Sequence, residues 1–322
     1  NNVGSRTKDA NGGGIFIFAN SLPSDIVNSH IISNTASMST TGWGGGLHMY
    51  AGNTVDYAKI LSSTFERNTA SSGTGSFASG MGGGAFILKY VHFRGNTLRN
   101  NYGVTAPGKG GEGGGLYSWE VRGGELVSNR FISNTASLQG SGYGGGISLQ
   151  SRTMLTMTNN LIAQNKANYG GGILLDTWKT SSPYKVKMYN NTLAGNGSGA
   201  FSQAILVRDY VTLTLTNNLI AEHATGITNT YPNSSTVFAN FNLFWNTSDP
   251  ITGSNAILED PLFALGYHLR YGSPASNTGY FLDWLHADLD GNPRPQGSAY
   301  DIGAFEGPRW DVMLPLVLKN TP

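Results

Sequence analysis

The sequence predicts an all-β protein wound as a parallel β-helix, a solenoid of about eight coils followed by a small C-terminal module. Three observations carry this reading. Glycine triplets recur at Gly12–Gly14, Gly44–Gly46, Gly82–Gly84, Gly113–Gly115, Gly144–Gly146 and Gly170–Gly172. An apolar residue stands three positions before an Asn at Ile31/Asn34, Phe65/Asn68, Leu98/Asn101, Phe131/Asn134, Ile162/Asn165, Leu193/Asn196 and Leu243/Asn246, with Ile220/His223 in the same slot. The segments "TMTNNLIAQN" and "VTLTLTNNLIAEH" alternate with period two and show no 3.6-residue pattern.

A repeat of roughly 30 residues built from short strands buries its apolar face only by stacking on its neighbours. Each glycine triplet then reads as a sharp corner where neighbouring backbones approach to ~4.8 Å, which a Cβ would obstruct. The repeated Asn residues Asn34, Asn68, Asn101, Asn134, Asn165, Asn196 and Asn246 read as an amide ladder running along the stack. On that reading Asn134→Leu should cost about 1–3 kcal/mol. A second polar column is expected upstream at Asn28, Ser62, Asn96, Asn129, Asn159/Asn160, Asn190/Asn191 and Asn217/Asn218. The solenoid is assigned to residues 1–254, the module to 255–311, and an apolar tail to 312–322.

Composition narrows the function classes. The 322 residues include 45 glycines, 39% are hydrophobic and 11% aromatic, enough apolar material for a core rather than a disordered linker. Only 12% are charged and the net charge is +1, which argues against nucleic acid or an anionic membrane as partner. The absence of cysteine excludes disulfides and thiol chemistry and leans towards a bacterial exported protein. No stretch approaches the ~20 apolar residues of a membrane span. The chain starts at Asn1 without a signal-type segment and reads as a mature chain or fragment.

The paired signature "FISN…GGGI" resembles the repeats of the polymorphic membrane proteins, surface adhesins built on right-handed parallel β-helices, over roughly residues 10–250. The segment "DPLFALGYHLRYGSPASNTGY…DLDGNPRPQGSAYDIGAFE", residues 260–306, resembles the end module of choice-of-anchor bacterial surface β-helix proteins, with Asn277 where that module carries Asp. The resemblances imply a right-handed helix and secretion, and neither implies an enzyme.

Motifs for chemistry are sparse. "GKGGEG" at 108–113 and "GSGYGG" at 140–145 match a dinucleotide fingerprint in form, but neither opens a helix. The six histidines are scattered without metal-ligand spacing. Asp176 and Asp209, with Arg208, Lys179, Lys185 and Lys187 nearby in sequence, are the best candidates for the paired carboxylates of a polysaccharide-degrading enzyme. A solvated strand edge is preferred for them, and no depolymerising activity is expected. Asp288 and Asp290 in "DLDGN" are candidate calcium ligands, with an Asx-turn and Arg294 neutralising a carboxylate as the preferred reading.

Strand alternation places Ile15, Leu47, Ala85, Leu116, Ile147 and Ile173 inward. The intervening columns then point out, and in the first four coils they read Phe16, His48, Phe86, Tyr117 and Phe18, Tyr50, Leu88, Trp119. Such a face is expected to be exposed and to meet a partner subunit, a covering segment of the chain or a glycan. The apolar segment Val312, Met313, Leu314, Leu316, Val317 and Leu318, broken by Pro315, suits a donated strand, and no capping helix precedes the first triplet. The functional expectation is therefore a non-enzymatic extracellular protomer of a head-to-tail filament or adhesive assembly, with a carbohydrate-binding or polysaccharide-degrading β-helix as the alternative.

Overall fold

The computed structural model describes residues 2–19, 24–51, 59–151, 153–177, 184–197, 203–248, 251 and 253–308. The tail residues Val312 to Leu318 lie outside this set, as do Lys179 and Arg309. The described chain is an all-β parallel β-helix, with no α-helix among the described residues. Strands stack in register into an eight-stranded, a fourteen-stranded and two five-stranded sheets, and every strand pair is parallel.

The glycine triplets turn six coils, fewer than the eight expected. Eight strands do stack in one sheet, from His30–Ile32 to Leu243–Trp245, but each five-stranded sheet ends at the coil that contains Asn134. The last coils are turned without a triplet and lose those two sheets.

The three glycines of a triplet are required for three different reasons. The first, such as Gly44, sits at φ 66°, in the left-handed region. A Cβ on the second, Gly45, would lie 2.4 Å from Gly83 O of the next coil. A Cβ on the third, Gly46, would lie 2.6 Å from Gly84 O of the next coil and 3.0 Å from the Asn68 amide of the polar column. Triplet and ladder are thus one device: the corner has no side chain because the next backbone and the amide occupy that space.

Six of the predicted ladder residues form a continuous buried column. Asn134 Oδ1 accepts from Asn101 N (3.1 Å) and Asn101 Nδ2 (2.9 Å). Asn134 Nδ2 donates to Leu98 O (2.8 Å) and Asn165 Oδ1 (3.0 Å). The same pattern runs through Asn34, Asn68, Asn101, Asn165 and Asn196 and ends at His223, whose Nε2 accepts from Asn196 Nδ2 at 3.1 Å. Asn246 is a correction. It is exposed at the end of the stack and contributes only its carbonyl, to His223 N.

The second column is Ser29, Ser63, Asn96, Asn129, Asn160, Asn191, Asn218 and Asn242. It corrects Asn28 and Ser62 by one position. Those two occupy the left-handed corner just before the ladder residue, at φ 48° each. Asn159, Asn190 and Asn217 fill the same corner in later coils.

Those corner amides have their own work. Asn159 Nδ2 donates to Ala287 O (2.6 Å), Asn190 Nδ2 to Asp301 O (2.9 Å), and Asn217 bonds both Tyr280 N (2.7 Å) and Tyr280 O (2.8 Å). They dock the C-terminal module, whose Leu269, Ala275 and Ile302 pack on Leu219, Ala221 and Leu243, and whose Leu289, Ala304 and Phe305 pack on Leu161 and Ala163. The module therefore sits on the flank of the later coils. The end of the stack is met instead by residues 251 and 253–257, through bridges Asn240↔Ser254 and Leu243↔Ile257.

Inside the module a fully buried Arg294 pairs with Glu306 at 2.6 Å and donates to Asp301 O and Gly303 O. Burying that charge is tolerable only because the guanidinium is paired and hydrogen-bonded.

Candidate functional site

The outward columns that flank the glycine corners are the least ordinary surface of the molecule. Phe16, His48, Phe86 and Tyr117 follow one another at ring separations of 5.2, 4.7 and 5.1 Å, an aromatic file one coil apart. Beside it Phe18 stacks on Tyr50 at 4.8 Å, and Lys89 Nζ lies over the Tyr50 ring at 4.4 Å while bonding its hydroxyl.

The expected exposed face is corrected in part. Phe16 and Phe18 on the first coil are 52% and 61% exposed, but His48, Phe86 and Tyr117 are buried at 8%, 3% and 4%. The His48 and Phe86 rings are covered by neighbouring rings on both sides, whereas Tyr117 meets Phe86 on one side and lies close to the Glu112 carboxylate. Tyr50, Leu88 and Trp119 in the second file are half-buried.

Beyond Trp119 the second file changes chemistry, continuing as Gln150 and Asp176 in successive coils, with Arg208 one coil further on. Asp176 Oδ2 pairs with Arg208 Nη1 at 3.1 Å, and its Oδ1 accepts the Thr177 N–H at 2.8 Å. Glu112, the residue before a triplet, reaches across the corner so that Oε2 accepts from Gln150 Nε2 at 3.4 Å. Burial raises the Glu112 carboxyl above its ordinary range, the Asp176 charge raises it further, and Arg208 opposes both. Burial also raises Asp176, against the Thr177 N–H and Arg208, while Asp209 adds a small upward push. Asp209 itself accepts the Ser234 hydroxyl.

The site thus gathers Asp176, Arg208 and Asp209 as the sequence suggested, and adds Glu112, which sequence reading missed. The position before each triplet reads Asn11, Trp43, Met81, Glu112, Tyr143, Tyr169, so Glu112 is the one carboxylate of its column, and no repeat marks it. Desolvated carboxylates that share an arginine beside an aromatic file are the kind of cluster that marks functional sites. Chemically they offer fixed donors and acceptors for hydroxyl groups next to ring faces.

His48, within the first file, and His223, at the foot of the Asn ladder, are both pushed down by burial, to about 4 and about 3. A group whose folded pKa lies below its unfolded value takes up a proton more readily on unfolding. Its neutral burial therefore stabilises the fold above pH ~6.5, and that contribution is lost as pH falls towards the folded value. Each should cost roughly 3 kcal/mol between pH 6.5 and 4. The raised carboxylates act in the opposite direction, so the clean measurement is a difference. His223→Asn, which puts an amide at the last rung, should retain about 3 kcal/mol that the parent chain loses on acidification. Urea midpoints at neutral pH and pH ~4 read this directly, and equal acid losses in both chains would refute it.

The calcium reading does not fit. Asp288 is buried and its two oxygens accept N–H groups of Asp290, Asn292 and Glu306 and the Asn292 amide. The Asp290 oxygens pair with Arg130 and with His268 Nε2. Among the described residues no cluster of three or more His, Asp or Glu side chains has metal-binding geometry. Asp288 closes an Asx-turn and Asp290 ties the module to the solenoid.

Fold and register together define the class: a parallel β-helix protein. Residues 57–204 match the family model described as a right handed beta helix region. No curated protein matches the chain. Among solved structures, the crystal structure of pectate lyase Pel9A aligns over 87% of this chain and 88% of that one, at 13% identity and a TM-score of 0.41.

Proposed function

We propose that this chain is an extracellular saccharide-binding β-helix protein whose recognition strip is the second outward file. The observation that supports it is the order of that file: Phe18, Tyr50, Leu88 and Trp119 provide apolar and aromatic surface, and Gln150, Asp176 and Arg208 follow with fixed hydrogen-bonding groups. A linear polysaccharide laid along the helix axis meets an equivalent position every ~4.8 Å, close to the length of one sugar ring. Aromatic faces suit the apolar faces of sugars, and Asp176 and Arg208, held by each other, present hydroxyl partners without a large ordering cost.

The test is retardation of the purified protein in gels containing neutral or uronate polysaccharides, with reducing ends measured in parallel. Binding without release of reducing ends is expected, weakened about tenfold or more by Trp119→Ala and by Asp176→Asn. No retardation in any gel, or retardation unchanged in both variants, would refute the reading. Release of reducing ends that Glu112→Gln abolishes would convert it to that of a hydrolytic enzyme.

A second reading, a protomer that stacks on a further copy of the chain, has its own supporting observation. The first-coil strands Val3–Ser5, Ala10–Asn11 and Ile15–Ala19 pair on one side only among the described residues, and Phe16, Phe18 and Val27 are exposed beside them. Open edges of this kind pair readily with another chain. Sedimentation of the full chain across a concentration series tests it: growing assemblies support stacking, and a monomer throughout refutes it.

A further inference from the structure

The Asn ladder does not simply stop. At His223 the rung changes from an amide, which both accepts and donates, to a ring that accepts from Asn196 through Nε2. With Nε2 accepting, the proton resides on Nδ1. His223 is only 5% exposed, and Nδ1 has no hydrogen-bond partner among the described residues. A buried N–H without a partner is costly and rare. Here it belongs to a residue that lines a surface depression of about 660 Å³ with Phe244, Trp245, Asn246, Thr247, Ser248 and Leu258.

The lining is informative about a ligand. His223 stays neutral, since burial holds its pKa at about 3, and no other lining residue is ionisable. A carboxylate, phosphate or ammonium would find no opposite charge there and would lose hydration without return. Trp245, 38% exposed, and Leu258, 60% exposed, supply apolar surface, whereas Asn246, Thr247 and Ser248 supply a neutral polar fringe. An aromatic surface, a neutral polar rim and one unpaired donor suit a ligand with an apolar face and oxygen acceptors.

We propose that the depression formed by His223, Trp245 and Leu258 is a second binding site, for a single neutral saccharide unit, whose seating uncovers the shielded, unpartnered His223 Nδ1–H so that it donates to a ligand oxygen. It lies on the last coils, uses none of the residues of the recognition strip, and stands whether or not that strip binds polysaccharide.

The experiment is a titration of the full chain with the methyl glycosides of glucose, galactose and N-acetylglucosamine, with glucuronate as the charged comparison, followed by NMR of the Trp245 indole N–H and the His223 ring nitrogens. At least one neutral glycoside is expected to shift both, with a Kd of about 1 mM. Trp245→Ala and His223→Asn should each weaken that binding tenfold or more, while Trp119→Ala leaves it unchanged. His223→Asn keeps an amide at the rung, so loss of binding there reports the missing ring N–H rather than unfolding, and the parent-like spectrum elsewhere verifies this. No shift with any neutral glycoside, an equal response to glucuronate, or binding that survives both variants would overturn the proposal. So would a His223 spectrum with the proton on Nε2.

Discussion

Asn134→Leu is expected to destabilise the protein by about 3–6 kcal/mol, more than an isolated buried amide would suggest. The substitution removes four hydrogen bonds at once: it leaves Asn101 N without its acceptor, takes one of two acceptors from Asn101 Nδ2, which keeps Phe65 O, and removes a donor from Leu98 O and from Asn165 Oδ1. Each lost bond costs about 0.5–1.5 kcal/mol, and an orphaned buried donor about 1–3 kcal/mol. Leucine also brings branched carbon towards Gly115, where an added Cβ would already come within 2.6 Å of Gly146 O and 3.1 Å of the Asn134 amide. The damage should spread along the column, since Asn101 and Asn165 lose partners on opposite sides. Chemical denaturation of the variant and the parent checks it, and a change below about 1 kcal/mol would mean that the amides are not the groups that hold the coils in register.

Gly83→Ala should be worse still. An added Cβ would stand 2.4 Å from Tyr102 C and O and 2.5 Å from Gly114 O, all backbone atoms. Neither side can retreat, because Gly83 N donates to Gly113 O at 3.0 Å and Gly45 N to Gly82 O at 3.0 Å, locking three coils to one another. A loss above about 4 kcal/mol or failure to fold is expected. Gly110→Ala is the matched comparison. Its nearest neighbour, Ser141 O, is 3.5 Å from the added atom, so the change should stay within about 0.5 kcal/mol. Thermal unfolding of both variants separates a demand for glycine at one position from a general preference for it. Equal effects would sink the steric account.

What could be read from the chain in advance was whatever repeats. The triplets and the Asn column were legible because each coil restates the same backbone problem, so one residue type recurs at one address. The second column was read one position early at Asn28 and Ser62 because a left-handed corner and the rung after it both favour small polar residues. The doublets Asn159/Asn160, Asn190/Asn191 and Asn217/Asn218 held information that was passed over: the second Asn of each is a rung, and the first reaches the module. Asn246 looked like a rung by spacing alone, but among the described residues no further coil below it offers a partner.

Features that occur once were opaque. Glu112 stands in a column otherwise filled by Asn11, Trp43, Met81, Tyr143 and Tyr169, and no repeat marks it. The burial of His48, Phe86 and Tyr117 follows from how outward rings lean on one another, which alternation cannot register; alternation says only that they leave the core. The lateral seat of the module depends on contacts more than 100 residues apart in sequence, such as Asn190 with Asp301, and short motifs carry no such information.

The central claim is that the outward file from Phe18 to Arg208 is a saccharide-binding surface. A crystal of the full chain soaked with a linear oligosaccharide, chosen from whichever polysaccharide retards the protein, tests it most directly. The account predicts ligand density running along the helix axis, with a sugar ring against Tyr50 or Trp119 and hydroxyl groups within hydrogen-bond distance of Gln150, Asp176 or Arg208. Density confined to another face of the solenoid, with the strip unchanged and bare, would contradict it.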